Sequence, residues 1–475
     1  MPGYLPDRRA FLKLGAATWG TALAAADLPS RIGSPVRRQL TSPPNVVLIY
    51  CDDLGYGDPG CYGSEMSTPN MDSLAAEGVR FRSFTSTSAV CSPARASLLT
   101  GRYPSRVGVC DVLQPNDNAG LVLCESTLAN TLKSAGYATM CVGKWHLGSQ
   151  AQYLPTNRGF DEFFGLPYSN DMSPLPLYQN ASVIEQPPDL STLTQRYTQQ
   201  AVSFIARSKA QPFFLYMPHT YPHVPLAASA QFAGKSGFGP YGDAVAEIDW
   251  SLGQVLAALK SHGVDENTLV MFSSDHGPWF EGSAGSLHGR KGEIWEGGVR
   301  VPFLARFPRH IPAGQVCDGL ATPLDILPTV AGLAGATLPA APMDGVDIWP
   351  LLSGQTDSLV RETFLYFDSA ALQAARQGPW KLHVARSNTP PWLPLPAGLR
   401  KNVRLLNPEL YNLETDPEEH YNRAAERPDI VASILADMER LVAGFPDPVL
   451  SAWKSAMNKT GTFCFPGGWP AAPEA

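Results

Sequence analysis

The sequence predicts an α/β fold: a large, mostly parallel sheet flanked by helices, followed by a smaller C-terminal α+β domain with a short antiparallel sheet. Three observations predict it. Short, continuous apolar runs alternate with helical patterns, as expected for strands buried on both faces. Four of these runs end in polar, chemically capable residues. After about residue 355 the texture changes to short strand-like segments interrupted by prolines.

The first run, NVVLIY (45–50), leads into Cys51, Asp52 and Asp53. In CSPARASLLTGR (91–102), Ser92 reads as an N-cap, Pro93 as a first helical residue and Gly101 as a stop, which puts Cys91 just before a helix N-terminus. A short helix over 126–134 reads as capped by Ser126 and stopped by Gly136. YATMCVG (137–143) ends in KWHLG, PFFLYMP (212–218) in HTYPH, and TLVMFSS (268–274) in DHG. A helix over 243–262 carries Ile248, Leu252, Val255, Leu256 and Leu259 on one stripe and stops at Gly263. These elements make one catalytic domain, residues 44–354. Residues 355–475 form the smaller one, with strands in RETFLYF, PWKLHVA and ELYNL and a loop, NTPPWLPLPAG, between them. A helix starting at Pro428 presents Ile430, Ile434, Leu435, Met438 and Leu441. In open α/β sheets the site gathers at the carboxyl ends of the strands, so the four polar strand ends should face one another.

A chain of 475 residues, 44% hydrophobic, has room for one large domain and a smaller one. Its net charge of -7 argues against a general nucleic-acid binder, and any anion specificity must be local. Arg8 and Arg9 precede Phe11, Leu12 and Lys13 and a small-residue apolar run that ends at Ala26. Residues 1–26 read as a removable twin-arginine export signal, too short for stable membrane insertion. That reading makes the protein bacterial, periplasmic or secreted, with the Tat translocase as a partner. None of the eight cysteines falls in a C-x-x-C pair, so a zinc knuckle is not expected.

Cys91 and Arg95 pose the chemical question. Free N–H groups and the positive dipole end favour an anion at a helix N-terminus. Arg95 sits in the first turn, where cations are disfavoured, which fits an anionic ligand between it and the helix end. Lys144, His146, His223 and Lys291 add to that reading. The Cys-to-Arg spacing is too short for the phosphate loop of a cysteine-dependent phosphatase. Asp52 and Asp53 repel each other unless a cation or basic group neutralises them.

CSPARASLLTGR resembles the C-x-P-x-R signature of type I, formylglycine-dependent sulfatases. NVVLIYCDDLGYGDPGCYGS, TPNMDSLAAEGVRF, GYATMCVGKWHLG, SSDHG and WEGGVRVPF resemble further motifs of that family in the same order. The similarity runs from about residue 44 to LYNLETDPEEHYN near 420, and GLPYSNDMSP (165–174) is similar to arylsulfatase A-type members. The resemblance implies an alkaline phosphatase-like fold. It implies that a formylglycine-generating maturation enzyme oxidises Cys91 to an aldehyde. It also implies one divalent cation, calcium, held by Asp52, Asp53, Asp275, residue 91 and His276. Many members carry Asn in place of His276, which either binds the metal or lies beside it.

The roles implied for the other residues follow the same pattern. The aldehyde hydrate attacks sulfur, helped by Asp275, while Arg95, Lys144 and Lys291 stabilise the sulfate. His223, in the frame HVP and together with Lys291, protonates the leaving alcohol. His146 takes a proton from the second hydroxyl. Ser169 matches a substrate-contacting serine. His219, outside that frame, reads as a support behind the site or a surface histidine, and Trp145 and Trp279 as core residues beside the strand ends. The substrate is a sulfate ester of an aryl alcohol, a sugar or a lipid. Two other readings stand beside this one: a phosphomonoester or phosphonate hydrolase of the wider superfamily, and a non-catalytic sulfated-glycan binder with unmodified Cys91.

Overall fold

The computed structural model describes residues 42–457 except 359, 360, 362, 390–392 and 394–401. The 1–26 segment, Cys464 and most of the proline-rich stretch lie outside the described residues. The four apolar runs become β1 (Asn45–Cys51), β3 (Ala138–Lys144), β7 (Phe213–Pro218) and β8 (Thr268–Ser274). They stand side by side and parallel, in the order β8-β1-β7-β3, at the centre of a ten-stranded sheet. The order continues on one side through β9 (Phe303–Arg306), β2 (Val79–Phe81) and β10 (Gln315–Cys317). On the other side come β4 (Glu162–Leu166), β5 (Leu177–Gln179) and β6 (Ser182–Glu185). Among the described residues, the antiparallel strand pairs of this sheet are β8/β9, β9/β2, β4/β5 and β5/β6.

All seven residues of β1 are buried because both faces of the sheet are covered. Val46, Leu48 and Tyr50 pack with Leu98 and Leu99 of the helix Cys91–Thr100, with Leu128 and Leu132, and with Val330. Val47, Ile49 and Cys51 pack on the other side with Phe204 and with Ile248, Leu252 and Leu259 of the helix Gly239–Ser261. Each such buried aliphatic side chain contributes about 1.5–3 kcal/mol.

Helix starts differ from the sequence reading for local reasons. Thr127, not Ser126, caps the helix Leu128–Ser134: its Oγ1 accepts the Asn130 N–H at 3.1 Å while Asn130 Oδ1 accepts the Thr127 N–H at 3.0 Å. This reciprocal box satisfies two donors at once. The helix predicted from Asp243 begins at Gly239, because Asp243 instead accepts backbone N–H groups of Gly234 and Ser236 in the preceding loop. Cys91 is itself the first helical residue, after an extended Val90 with no side-chain cap. Ser92 accepts the Leu113 N–H at 3.1 Å rather than capping. Pro93, third in the helix, sacrifices no intrahelical bond because the first donors have no partner anyway. Gly101 closes the helix in the left-handed region, φ 65°.

The second sheet is antiparallel, with order β11-β12-β13-β14: Phe364–Asp368, Ala371–Gln377, Trp380–Ser387 and Asn402–Asn412. The helix Pro428–Val442 buries Val431, Ile434, Met438 and Val442, leaving Ile430, Leu435 and Leu441 partly covered. This sheet is tied to residues 294–296 through a buried ionic network. Lys381 Nζ, on β13, meets Glu296 Oε1 at 2.9 Å, Glu419 Oε1 at 3.2 Å and the Ile294 carbonyl at 2.7 Å. Glu419 also accepts the Glu296 N–H at 2.6 Å, and the Trp295 ring lies between His288 and His383. The segment just after Lys291 is thereby pinned from behind.

Candidate active site

The register of β1 on β8 pairs Cys51 with Ser274, so the residues leaving both strands emerge together. Asp53 turns back in the left-handed region, φ 67°, and its N–H donates to Asp275 Oδ1 at 3.2 Å. On β3, Gly143 precedes Lys144 at φ 130°, and a Cβ there would lie 1.8 Å from the Pro218 carbonyl oxygen. Only glycine lets β3 approach β7 closely enough to bring Lys144 to the centre.

Asp52, Asp53, Arg95, Lys144, Asp275 and His276 are all buried beneath this point. Lys144 Nζ donates to Asp52 Oδ2, and to Ser169 Oγ at 3.1 Å. Lys291 Nζ meets both Asp53 oxygens, at 2.8 and 2.9 Å. Arg95 holds Asp275 Oδ2 through Nε at 3.2 Å and Nη2 at 2.9 Å, stands 3.5 Å from Asp52 Oδ1 and donates to the Lys144 carbonyl at 3.0 Å. Its charge is therefore committed to carboxylates under the floor rather than open to the cavity.

Burial opposes ionisation of Asp52, yet Lys144, His223 and Arg95 hold it well below the usual carboxylate range. Asp53 is lowered too: burial is outweighed by Lys291, His223 and His276. Asp275 goes up, because burial outweighs the help from His276 and Arg95.

His276 Nδ1 lies 2.9 Å from the Gly277 carbonyl and donates to it, which turns Nε2 inward. Nε2 stands 3.4 Å from Asp53 Oδ1, 3.5 Å from Asp275 Oδ1 and 3.4 Å from Cys91 Sγ. Burial would depress its pKa, but Asp275, Cys91 and Asp53 push it up to about 9. An imidazole nitrogen among carboxylates must carry a proton or face a cation. Asp52 Oδ1 is buried without a hydrogen-bond partner among the described residues. One ligand atom each from Asp52, Cys91, Asp275 and His276 falls within a 4.8 Å span, and Asp53, Cys91 and His223 make a second such group. The donor set fits a cation, and three carboxylates suit a hard one.

Above the floor lies a cavity of about 530 Å³ lined by Cys91, His146, Ser169, His223 and Lys291 among others. His146, φ 59°, stands with Nε2 3.1 Å from the Leu113 carbonyl, leaving Nδ1 buried and unpartnered among the described residues. Burial and the nearby Lys144 hold its pKa well down. His223 hydrogen-bonds the Val224 carbonyl through Nδ1 and sets Nε2 3.9 Å from Asp53 Oδ2. Burial lowers its pKa against the pull of Asp53 and Asp52.

The eleven residues given a catalytic, metal-binding or substrate-binding role from the sequence thus lie together. His219 does not join them: it is fully buried, both ring nitrogens lack partners among the described residues, and burial lowers its pKa to about 3. Trp145 is a core residue whose Nε1 donates to the Tyr153 carbonyl at 2.8 Å. Trp279 lies under Lys291, 5.9 Å from ring centre to Nζ.

Sequence reasoning missed two supports. Asn170 Nδ2 donates to the Pro225 carbonyl at 3.1 Å, with the His223 carbonyl at 3.5 Å, tying the Ser169 segment to the His223 loop. Asp58 accepts the Gly55 N–H at 2.6 Å and the Ser283 N–H at 2.9 Å, and binds the Tyr241 hydroxyl, which fastens the Asp53 turn to the loop leading to Lys291. Burial raises Asp58 to about 6 despite these donors. No spacing in the chain announces either contact.

The sulfatase family profile matches residues 44–336, and that of the C-terminal region of aryl-sulfatase matches 360–464. The chain belongs to the sulfatase family. Human arylsulfatase A is 41% identical to this sulfatase over 426 residues, 80% of this chain and 83% of that protein. Rat N-acetylgalactosamine-6-sulfatase is 41% identical over 377 residues, covering 72% and 71%. Among solved structures, the sulfatase PsFucS1 from Pseudoalteromonas sp. superposes with a TM-score of 0.76 at 28% identity, over 88% of this chain and 92% of that one. The sheet and its helices are those of the alkaline phosphatase-like sulfatase fold. Among the described residues, no helix is long and apolar enough to cross a membrane.

Proposed function

We propose that this sulfatase cleaves sulfate monoesters using a formylglycine made from Cys91 by a maturation enzyme and one divalent cation, Ca²⁺, among Asp52, Asp53, Asp275, His276 and residue 91. The observation that carries this reading is Cys91 itself. It stands at the base of the cavity, 3.4 Å from His276 and grouped with Asp52 and Asp275. The hydrated aldehyde supplies one hydroxyl to attack sulfur and a second whose deprotonation frees sulfate, and the cation supplies fixed positive charge to the sulfate oxygens.

The chain's own groups do the rest. Lys144 and Lys291 stand at the floor and stabilise the sulfate's oxygens as charge develops. Arg95 keeps Asp275 and Asp52 aligned from below. His223 Nε2 faces the leaving oxygen and shares the acid role with Lys291; its Nδ1–H is spent on the Val224 carbonyl, so Nε2 donates only when the ring has taken a second proton against the burial that lowers its pKa. His146, with Nε2–H directed at Leu113, keeps Nδ1 free to take a proton from residue 91. Ser169 orients the Lys144 ammonium against the ester.

Paired aryl sulfate and aryl phosphate substrates, given to protein made with the maturation enzyme, test the reading. Sulfate hydrolysis should dominate. Preference for the phosphate or for a phosphonate monoester would favour the other hydrolase reading, and no turnover with tight glycan binding the non-catalytic one. The phosphonate monoester hydrolase from Silicibacter pomeroyi, at 19% identity and a TM-score of 0.62, shares the fold.

If Asn170 aims His223, Asn170→Ala should impair acid catalysis in particular. Alkyl sulfates, with poor leaving groups, should lose about tenfold or more in kcat, a fraction of what a positioned acid supplies. Para-nitrophenyl sulfate, whose leaving group needs little protonation, should lose far less. An equal loss on both would mean that Asn170 merely supports the fold.

The same reading includes the export signal over 1–26 and the division into a catalytic part, 44–354, and a buttressing part, 355–475. Periplasmic protein whose intact mass still includes Arg8 and Arg9 would contradict the export signal.

A further inference from the structure

Granted sulfate-ester cleavage at residue 91, the outer part of the cavity must hold the alcohol. Two loops form it. One carries Val112, Gln114 and Asn116, the other Asp171, Met172 and Ser173. Both are held in place. The Leu113 N–H is bound by Ser92, the Gln114 N–H by Asp117 Oδ2 at 2.7 Å, and the Pro115 carbonyl by Ser149 at 2.9 Å. On the second loop the Met172 N–H bonds the Ser169 carbonyl at 3.2 Å, and the neighbouring Asn170 is anchored to Pro225. The wall is therefore preformed.

Its chemistry differs from that of the floor. Lys291 is the only lysine or arginine among the described residues lining the cavity, and its ammonium already meets both oxygens of Asp53. The outer wall offers one carboxylate, two amides and a hydroxyl, with Val112 and Met172 as apolar facets. A pyranose fits this set. Its C–H face can lie on the apolar facets, while its hydroxyls donate to the Asp171 carboxylate and exchange hydrogen bonds with Gln114, Asn116 and Ser173. An aryl alcohol would use none of the four polar groups. A sugar bearing a second sulfate or a carboxylate would bring that charge beside Asp171, with no uncommitted cation on the wall to receive it.

We propose that the natural alcohol is an uncharged, hydroxylated sugar carrying a single sulfate, and that Asp171 discriminates against a second anionic group. Asp171 is exposed, so the discrimination is moderate and sensitive to salt.

The test compares kcat/KM for a monosulfated neutral hexose and for the same hexose with a second sulfate, in the wild type, Asp171→Asn and Asp171→Lys. Para-nitrophenyl sulfate serves as the common reference. The wild type should prefer the monosulfate by about three- to tenfold at low salt, mainly through KM. Asp171→Asn should narrow the ratio and Asp171→Lys should invert it. Equal or better use of the disulfate by the wild type, or an unchanged ratio in Asp171→Lys, would overturn the role of Asp171. Turnover of para-nitrophenyl sulfate with none of either sugar sulfate would overturn the substrate class while leaving the sulfatase reading intact. No turnover of any sulfate ester, in protein whose residue 91 is shown by mass to be the aldehyde, would end both.

Discussion

Cys91→Ser should fold, bind its cation and lose steady-state turnover by about a thousandfold or more, the scale on which loss of a nucleophilic group is felt. Folding is safe because the change is small. Cys91 is the first residue of its helix and 2% exposed, and serine differs from it only by oxygen in place of sulfur. The loss of turnover has a chemical cause. A serine hydroxyl can attack sulfur once, but it has no second hydroxyl whose deprotonation by His146 would expel sulfate. The variant should therefore accumulate protein heavier by the mass of one SO₃ group after exposure to an aryl sulfate. In the active wild type, the peptide containing residue 91 should have the mass for CHO in place of CH₂SH. Fully active protein with an unmodified Cys91 thiol would overturn the mechanism.

What was legible in the sequence depended on how each feature is encoded. β1, β3, β7 and β8 were readable because strands covered on both faces must be apolar throughout, and their polar ends are contiguous with them in the chain. β12 was not, because ALQAARQ is built of small and polar residues, although five of its seven positions are buried. Helix starts were misplaced where a competing acceptor decided the outcome. Asp243 serves the loop before it, and Thr127 outcompetes its neighbour by forming a reciprocal pair. Asp52, Asp53, Lys144 and Asp275 were readable because they lie at or just after strand ends, and Arg95 because it lies in the first turn of a helix, whereas Lys291 sits in a loop between Ser274 and Glu296 that has no such local mark. Asn170 and Asp58 were not, since each acts on a partner brought near by the fold, 55 and 225 positions away. The sequence reading also gave Arg95 to the ligand. The structure gives both its Asp275 contacts and its Lys144 carbonyl contact to the protein, so its influence on an anion passes through the alignment of those groups.

The second large effect is expected at Asp53. Asp53→Asn should reduce cation affinity by about tenfold to a hundredfold or more and activity at least as much, since even groups behind a metal's ligands have effects of that size. Asn is the informative replacement. It keeps the side-chain shape and tolerates φ 67°, where alanine would add backbone strain to the result. The substitution removes one of three buried carboxylates and half of the Lys291 ion pair. Asn leaves Lys291 one oxygen acceptor but no counter-charge, and turns an NH₂ group towards the ammonium in place of the second oxygen, so the loss extends beyond the cation to the ammonium meant for the sulfate. His276→Asn makes the contrast. It supplies an oxygen suited to calcium and removes an imidazole that the buried carboxylates of Asp53 and Asp275 leave needing either a proton or a cation, so it should be mild by comparison. Elemental analysis and calcium titration of the two variants separate the cases. Full calcium occupancy in Asp53→Asn would rule out Asp53 as a ligand. Complete loss of metal in His276→Asn would mean that the site is built around nitrogen and holds a cation softer than calcium.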